Sequence, residues 1–198
     1  MRKWIVISAY TYDTPYEDEI KVLEKSLRKF DVPYRFFPYK SQGSWWENCQ
    51  YYTSIIVNAL SEHRCDLVWL DSDAELLAYP ELFNNYKYDL GVYKRMNAEG
   101  SERPHHWNGG TMYMKNRARV SEFVKVLHTT PKGDEWLLDT FSDAVDAAIR
   151  GEGDKITIGT LPTTYSYVFN TKQPEELKYK RKVVIRHNQA SRRLKDEI

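Results

Sequence analysis

The fold of this chain is decided by the stretch Asp66-Leu67-Val68-Trp69-Leu70-Asp71-Ser72-Asp73. Its apolar run, residues 67–70, predicts a β-strand that is covered on both faces, as strands are in an α/β sheet. Two carboxylates, Asp71 and Asp73, follow this strand directly. Ligands of open α/β sheets bind beyond the carboxyl ends of the strands. We therefore expect both carboxylates to lie at a ligand crevice.

The spacing of the two carboxylates predicts a metal site. A tight turn after the strand keeps Asp71 and Asp73 near one point, and neighbouring carboxylates raise each other's pKa unless a cation lies between them. Mn²⁺ and Mg²⁺ are hard ions that take oxygen ligands and often share them with phosphates. A solvated turn after a strand is the alternative interpretation of the same residues.

Four segments resemble a known family. Leu70-Asp71-Ser72-Asp73 resembles the Asp-x-Asp signature of GT-A-fold glycosyltransferases. The order and spacing of three further blocks are similar to that family: residues 11–16 after the first strand, residues 107–114, and the late strand 183–187. The resemblance implies a single α/β domain over residues 1–198, with a mostly parallel central sheet flanked by helices.

The resemblance also implies the metal ligands. In this family the Asp-x-Asp pair holds a divalent metal on the diphosphate of a sugar nucleotide. Asp73 would coordinate the metal directly, whereas Asp71 would reach it through water or contact the ribose. His187 would complete the metal shell. Outside the family frame, a single histidine after a strand is more often a surface or a satisfied core residue.

The donor sugar nucleotide would be bound by the other similar blocks. The resemblance places the nucleoside against the first loop, with Thr11, Tyr12 and Tyr16. Asn108 would donate or accept a hydrogen bond at a sugar hydroxyl. Gly109 and Gly110 would let the chain pass closely under the sugar, although they are equally consistent with a tight backbone alone.

A basic segment, residues 186–198, is expected to close over the donor. Its candidate phosphate ligands are Ser191, Arg192 and Lys195, with Arg193 beside them. The Gly and Lys-Pro-Trp pattern that the family usually carries after the histidine is missing here, so the residue that contacts phosphate stays open. A frayed, solvated terminus is the alternative.

Asp134 and Glu135 are the candidate catalytic residues. Acidic residues in a first helical turn commonly do no more than interact with the helix dipole. The resemblance implies a place beside the anomeric carbon, where a carboxylate would be a general base in an inverting enzyme. In a retaining enzyme it would stabilise an oxocarbenium-like state. The late histidine and the small size favour retention.

Composition agrees with one ordinary globular domain. The chain has 198 residues, 41% hydrophobic and 29% charged, and a formal net charge of +1. This charge gives no global field that would attract nucleic acid or a membrane surface. Two cysteines are too few for a disulfide framework. The apolar start, residues 4–8, is too short for a signal peptide, so we expect a cytoplasmic protein, in the host cytoplasm if it is encoded by a phage.

Hydrophobic periodicity predicts alternating strands and helices. We expect an irregular polar loop over residues 97–106. The predicted strands are 4–9, 34–39, 67–70, 89–94, 110–115, 155–158 and 183–187. The predicted helices begin near Thr14, Trp46, Arg117 and Asp134, and Thr14 with Glu17 matches a capping box.

The sequence thus predicts a metal-dependent glycosyltransferase of compact bacterial or phage type. It would move a hexose from a UDP-sugar to a glycan, a protein or a modified nucleic-acid base. A sugar- or nucleotide-binding module without catalysis is one alternative. A haloacid-dehalogenase-type phosphotransferase also carries two aspartates after a strand, but on its first strand, and it has Thr or Val where this chain has Glu75.

Overall fold

The computed structural model describes residues 4–96, 102–129, 136–152, 155–168 and 182–194. Its strands form a six-stranded sheet and a three-stranded sheet. In chain order they are β1 Trp4–Thr11, β2 Tyr34–Tyr39, β3 Asp66–Leu70, β4 Ala74–Leu76, β5 Leu90–Met96, β6 Glu102–Met114, β7 Ile158–Leu161, β8 Tyr167–Val168 and β9 Ile185–His187.

The large sheet has the strand order β2-β1-β3-β6-β5-β7. Neighbours pair in parallel at β1–β2, β1–β3 and β5–β7, and β6 runs antiparallel to both β3 and β5. The predicted mostly parallel sheet is therefore confirmed. Because β1, β3, β5 and β7 all point the same way, their carboxyl ends share one edge, and Asp71 follows β3 at that edge.

Helices cover both faces of this sheet. They are α1 Tyr16–Lys29, α2 Trp45–Glu62, α3 Ala118–Thr129, α4 Trp136–Ile149 and the short α5 Ala190–Arg193. Alternate residues of β3 enter opposite cores, since Trp69 packs in the cluster that contains α2, α3 and α4 residues, whereas Val68 packs in the cluster that contains α1 residues. Such two-sided burial explains the unbroken apolar run of this strand. None of the described helices is long and apolar enough to cross a bilayer.

The small sheet lies directly after the two aspartates. Its order is β4-β9-β8, with β9 antiparallel to β4 and parallel to β8. Ala74, the residue after Asp73, is paired with His187. The β4–β9 pairing joins the middle of the chain to its late segment. Together with the β8–β9 pairing, it fixes His187 from both sides of β9.

Three local predictions need correction. Residues 102–106 of the expected loop belong to β6, because they continue a hairpin in which Met96 pairs with Glu102; residues 97–101 lie outside the described part of the chain. The strand predicted at 155–158 lies instead at Ile158–Leu161, where it pairs with β5.

The start of α1 also differs from the prediction. Pro15, rather than Thr14, precedes its first residue, and the Glu17 carboxylate accepts a hydrogen bond from the backbone N–H of Asp13. The complete capping box belongs to α2, where Ser44 and Glu47 satisfy each other's backbone N–H groups. The predicted box is absent because the Thr14 hydroxyl donates to the carbonyl of Thr11 at 2.7 Å, and the N–H of Glu17 bonds to the Thr14 carbonyl instead of the hydroxyl.

Candidate active site

Three side chains converge at the carboxyl edge of β3. Asp71 and Asp73 come from the turn between β3 and β4, and His187 ends β9. One ligand atom from each of the three lies within 4.8 Å of the others. Residues more than a hundred positions apart therefore form one cluster of carboxylate and imidazole groups, and the β4–β9 pairing places them there.

Residues of the late segment contact both carboxylate oxygens of Asp73 and its backbone carbonyl. Its Oδ2 accepts a hydrogen bond from the backbone N–H of Ala190 at 2.9 Å, and its Oδ1 lies 3.3 Å from His187 Nδ1. Its backbone carbonyl accepts from the N–H of Asn188. Burial alone would raise the pKa of Asp73, but these partners, His187 first, lower it overall. The carboxylate is therefore kept charged.

Asp71 has fewer partners. Its Oδ1 accepts a hydrogen bond from the indole N–H of Trp69 at 3.0 Å. Burial, followed by the charge of Asp73, raises the pKa of Asp71 to about 6. Two carboxylates with opposite pKa shifts thus lie with one residue between them, because like charges held close together do not ionise independently.

His187 is buried and has a contact at each ring nitrogen. Nε2 lies 2.8 Å from the hydroxyl of Thr111, and Nδ1 faces Asp73. Burial lowers the pKa of His187, but the hydrogen bond and charge of Asp73 outweigh it, so that the pKa is raised.

The donor set fits a divalent metal. Neighbouring ligands of an octahedral ion with bonds of about 2.1 Å lie roughly 3 Å apart, and His187 Nδ1 and Asp73 Oδ1 are separated by 3.3 Å. A metal-bound histidine usually donates its other ring N–H to an oxygen acceptor, which fixes the ring. Thr111 offers that acceptor at Nε2. Two carboxylates and one imidazole are ligand types that divalent cations take in proteins.

The Asn108–Gly110 segment forms the floor of the site. A side chain at Gly110 would come within 3.0 Å of Asp71 Oδ2 and within 3.3 Å of His187 Cε1, so a larger residue would push these groups apart. Asn108 Oδ1 accepts from the N–H of Gly110 and from the hydroxyl of Ser166. These donors assign the amide orientation, and within the described chain no acceptor faces Asn108 Nδ2. Gly109 has an ordinary contact, with Met112.

The first loop reaches the same site through Tyr16. Burial and then the charge of Asp73 raise the pKa of Tyr16 to about 12, so its hydroxyl lies within electrostatic range of the carboxylates. Thr11 is buried and its hydroxyl lies 2.9 Å from that of Thr14. Tyr12 is 40% exposed at the loop's outer side. The three predicted loop residues thus differ, since Thr11 shapes the loop while Tyr12 and Tyr16 present aromatic rings.

The late segment is anchored more firmly than a frayed terminus would be. Arg193 forms an ion pair with Glu19 of α1 at 2.6 Å, and Arg186 pairs with Glu75 of β4. Ser191 and Arg192 lie in α5, but their side chains fall outside the described part, as do Lys195 and the rest of residues 195–198. The predicted catalytic residues Asp134 and Glu135 also lie outside the described residues.

Three residues of the site were not predicted. Trp69 and Thr111 contact the proposed ligands directly. Arg95, near the end of β5, is close enough for its charge to lower the pKa values of Asp71 and His187. A basic residue near the carboxyl end of β5, a strand that runs parallel to β3 with β6 between them, was the available signal for Arg95. Trp69 and Thr111 look like ordinary strand residues.

Comparison with known proteins agrees with this geometry. The sequence profile of the nucleotide-diphospho-sugar transferases matches residues 13–196. The chain belongs to this family. It is a glycosyltransferase, and the predicted GT-A type and the Asp71–Asp73 group are confirmed. No curated protein matches the chain in sequence.

Solved structures share the fold of this glycosyltransferase at low identity. A glycosyltransferase involved in glycosylation of the major capsid of PBCV-1 has a TM-score of 0.69 at 14% identity, over 98% of this chain and 97% of its own. Mouse xyloside xylosyltransferase 1 has a TM-score of 0.58 at 12% identity, over 95% of this chain and 98% of its own. GlyE of Streptococcus pneumoniae TIGR4 has a TM-score of 0.57 at 14% identity, over 96% and 55%.

Proposed function

We propose that this glycosyltransferase is metal-dependent and moves a hexose from a UDP-sugar to an acceptor hydroxyl. The observation that carries the proposal is the cluster of Asp71, Asp73 and His187, whose ligand atoms lie within 4.8 Å of one another at the carboxyl edge of the sheet. A divalent cation bound there would neutralise the charge that develops on the leaving diphosphate. The family assignment gives no support to the phosphotransferase alternative.

The chain's own residues would hold the ligands of this site in place. Asp73 and His187 are fixed before any ligand arrives, because Ala190, Asn188 and Thr111 already bond to them. Such preorganisation lowers the reorganisation that accompanies binding and reaction. The metal proposed is Mn²⁺ or Mg²⁺, on the ligand chemistry given above.

The donor would lie between the first loop and the Asn108–Gly110 segment. Tyr16 reaches the carboxylates from one side, so that its ring and hydroxyl would face the nucleoside, together with Thr11 and Tyr12. On the other side, Asn108 keeps Nδ2 as a donor for a sugar hydroxyl, since Oδ1 is already engaged. The close approach allowed by Gly110 would leave room for the sugar over the backbone.

The late segment would close over the diphosphate. Arg186 and His187 are already fixed in β9 by pairing with β4. Closure would therefore involve only the residues that follow α5 and the side chains on α5. We assign the phosphate contacts to Ser191, Arg192 and Lys195. Arg193 is assigned a structural role, because it is paired with Glu19.

Asp134 and Glu135 are proposed as the carboxylates beside the anomeric carbon, on the family resemblance. We propose retention of configuration on the same ground, and proton NMR of the first-formed product distinguishes the two anomers. The acceptor is a glycan, a protein or a modified nucleic-acid base. One structural neighbour takes part in capsid glycosylation, which favours protein-linked glycans as the first acceptors to test.

A thermal-shift panel tests the proposal. Nucleoside diphosphate sugars are compared with and without Mn²⁺, using the unmodified protein and Asp71→Asn. A ligand at a hundred times its Kd stabilises by about 2.7 kcal/mol, which raises Tm by roughly 5–10 °C at this chain length. We expect that shift for a UDP-sugar with Mn²⁺, and a much smaller one without metal or in Asp71→Asn.

Donor hydrolysis separates an enzyme from a binding module. Many transferases slowly hydrolyse their donor when no acceptor is present, and we expect release of UDP that depends on Mn²⁺. Stabilisation by a UDP-sugar without any hydrolysis or transfer would favour the binding module. A panel in which Mn²⁺ makes no difference to any nucleotide would contradict the metal-dependent proposal.

A further inference from the structure

The indole of Trp69 is the only described side chain that donates a hydrogen bond to Asp71. Trp69 lies two residues before Asp71 on β3, and alternate residues of a strand project to the same side. Its Nε1–H donates to Asp71 Oδ1 at 3.0 Å, and the residue is 2% exposed. The indole is therefore shielded from bulk water, and a buried donor that loses its partner is costly.

A second aromatic ring fixes the plane of this indole. Tyr52 of α2 stacks on Trp69 with ring centroids 5.0 Å apart and an interplanar angle of 29°. Both rings belong to the core on the α2 side of the sheet. The indole N–H consequently has little freedom to turn, and the carboxylate that accepts from it is oriented by packed core residues instead of by mobile side chains.

The other oxygen of Asp71 faces the cluster. Oδ2 is the atom that a side chain at Gly110 would meet at 3.0 Å, next to His187 Cε1 at 3.3 Å. No residue in the described ranges donates a hydrogen bond to Oδ2. The two oxygens of one carboxylate thus have separate surroundings: Oδ1 accepts from an indole of the core, and Oδ2 lies beside the backbone of Gly110, which the ring of His187 also approaches.

We propose that Trp69 is a positioning residue, whose indole N–H holds Asp71 Oδ1 so that Oδ2 is presented to the proposed metal site, for contact with the ion directly or through water. This inference rests on the proposed function, since it assigns the orientation of a ligand in the same site. A carboxylate without the indole would be free to rotate about its last bond, and it would lose the preorganised geometry that ligand binding requires.

Metal binding by matched tryptophan variants tests the assignment. Trp69→Phe removes the indole N–H but keeps an aromatic ring against Tyr52. Trp4→Phe is the control, because Trp4 is 4% exposed and its Nε1–H also donates at 3.0 Å to a side-chain oxygen, that of Asn84, at the other edge of the sheet. Calorimetric titration of Mn²⁺ in the presence of saturating UDP gives the metal Kd of each protein.

We expect Trp69→Phe to weaken Mn²⁺ binding about 10- to 100-fold, the usual cost of losing an outer partner of a metal ligand. Trp4→Phe should bind Mn²⁺ like the unmodified protein, even if both variants lose similar stability. Equal Mn²⁺ affinity in the two variants would overturn the positioning role. An unmodified protein that binds no Mn²⁺ with UDP would instead overturn the proposed function itself.

A second substitution guards against misfolding of Trp69→Phe. Benzothienylalanine introduced at position 69 keeps the shape of the bicyclic ring and lacks only the N–H, so it should fold and show the same loss of Mn²⁺ affinity. In addition, the indole N–H resonance of Trp69 should shift when Mg²⁺ and UDP are added to ¹⁵N-labelled protein, whereas that of Trp4 should not. A Trp69 resonance that ignores the metal would count against the inference.

Discussion

Two aspartates at opposite edges of the same sheet, Asp89 buried and Asp71 half-buried, differ in how their charge is compensated. Asp89 precedes β5 at the amino edge, and its carboxylate is bonded by Arg119 at 2.9 Å, by the N–H of Thr157 at 2.9 Å and by the Thr157 hydroxyl at 2.7 Å. Arg117 adds a further contact at 3.3 Å. Burial alone would raise the pKa of Asp89, but these partners lower it.

Asp71, at the carboxyl edge, has fewer contacts that stabilise its charge and one neighbour that repels it. One indole donates to it, while the neighbouring Asp73 repels it, and its pKa is raised to about 6. Asp89 forms ion pairs with an arginine of α3 and with another in the turn before α3. The site around Asp71 instead contains two carboxylates and a histidine. The difference favours a structural role for Asp89 and fits the binding role proposed for Asp71, which has a cost in stability.

Asp71→Asn should show this division most clearly. The amide keeps the size of the side chain but removes one repelling charge, so we expect Tm without metal to stay unchanged or to rise. Transfer should fall about 10³-fold, because the Lewis-acid contribution of a bound metal is several kcal/mol. Turnover and Tm measured on the same preparation check both expectations. Near-normal turnover with Mn²⁺ present would remove Asp71 from the site.

Asp73 is a poorer probe of the same idea. Its substitution by alanine would also leave the N–H of Ala190 and the ring of His187 without their acceptor. A fall in Tm would therefore accompany the loss of activity and obscure its cause. Asp71→Asn avoids this ambiguity.

Asp89→Asn should have the reverse effect. It leaves two arginines without their anionic partner, and we expect a loss of about 2–3 kcal/mol of unfolding free energy. Turnover measured well below the lowered Tm should remain close to that of the unmodified protein. Chemical denaturation at neutral pH gives the free energy.

The pH dependence of Asp89→Asn provides a second measurement. The folded pKa of Asp89 is depressed, so its stabilisation is present above the unfolded pKa near 4 and is lost as pH falls through the lower folded pKa. The difference between the two proteins should accordingly be constant at neutral pH and shrink below about pH 4. A difference that does not shrink in acid would assign the effect to packing instead of charge.

The strand and both aspartates of the site were predictable from local sequence, whereas their partners were not. Residues 67–70 are apolar without a break, and two-sided burial in a sheet follows from that pattern. His187 reaches the site through the pairing of β4 with β9, a contact between segments far apart in the chain. Periodicity carries no information on such a contact, and here the family resemblance supplied it.

The hairpin of β5 and β6 escaped prediction for a related reason. Residues 102–106 contain a proline, two histidines and charged side chains, and they show no strand alternation. Backbone pairing with β5 makes them a strand all the same. The role of Trp69 could not be predicted for another reason. A tryptophan in an apolar run is expected in the core, and the pattern around it does not show that its N–H donates to Asp71.

Substitutions at Thr111 sharpen the comparison by removing a neutral partner of His187 from the proposed metal site. The Thr111 hydroxyl lies 2.8 Å from His187 Nε2 and is fully buried. Thr111→Val should weaken Mn²⁺ binding about tenfold, because the histidine loses the group that orients its ring. Thr111→Ser keeps the hydroxyl and should bind Mn²⁺ nearly normally. Identical affinities in the Val and Ser variants would show that Thr111 only fills space.

The smallest expected effects distinguish two neighbouring arginines in α5. Arg193 is paired with Glu19 and is half exposed, so Arg193→Ala should cost less than about 1 kcal/mol of stability and leave the donor KM unchanged. Arg192→Ala should leave stability unchanged and raise the donor KM about fivefold, which corresponds to about 1 kcal/mol of lost phosphate contact.

Because α5 follows His187 so closely, both variants test whether the late segment resembles the site at Asp71 or the structural cluster at Asp89. Donor KM and Tm are measured for each variant at constant ionic strength, since surface contacts weaken with salt. A raised donor KM in Arg193→Ala with none in Arg192→Ala would exchange the two roles, and an unchanged donor KM in both would leave α5 as a purely structural support for Asp73.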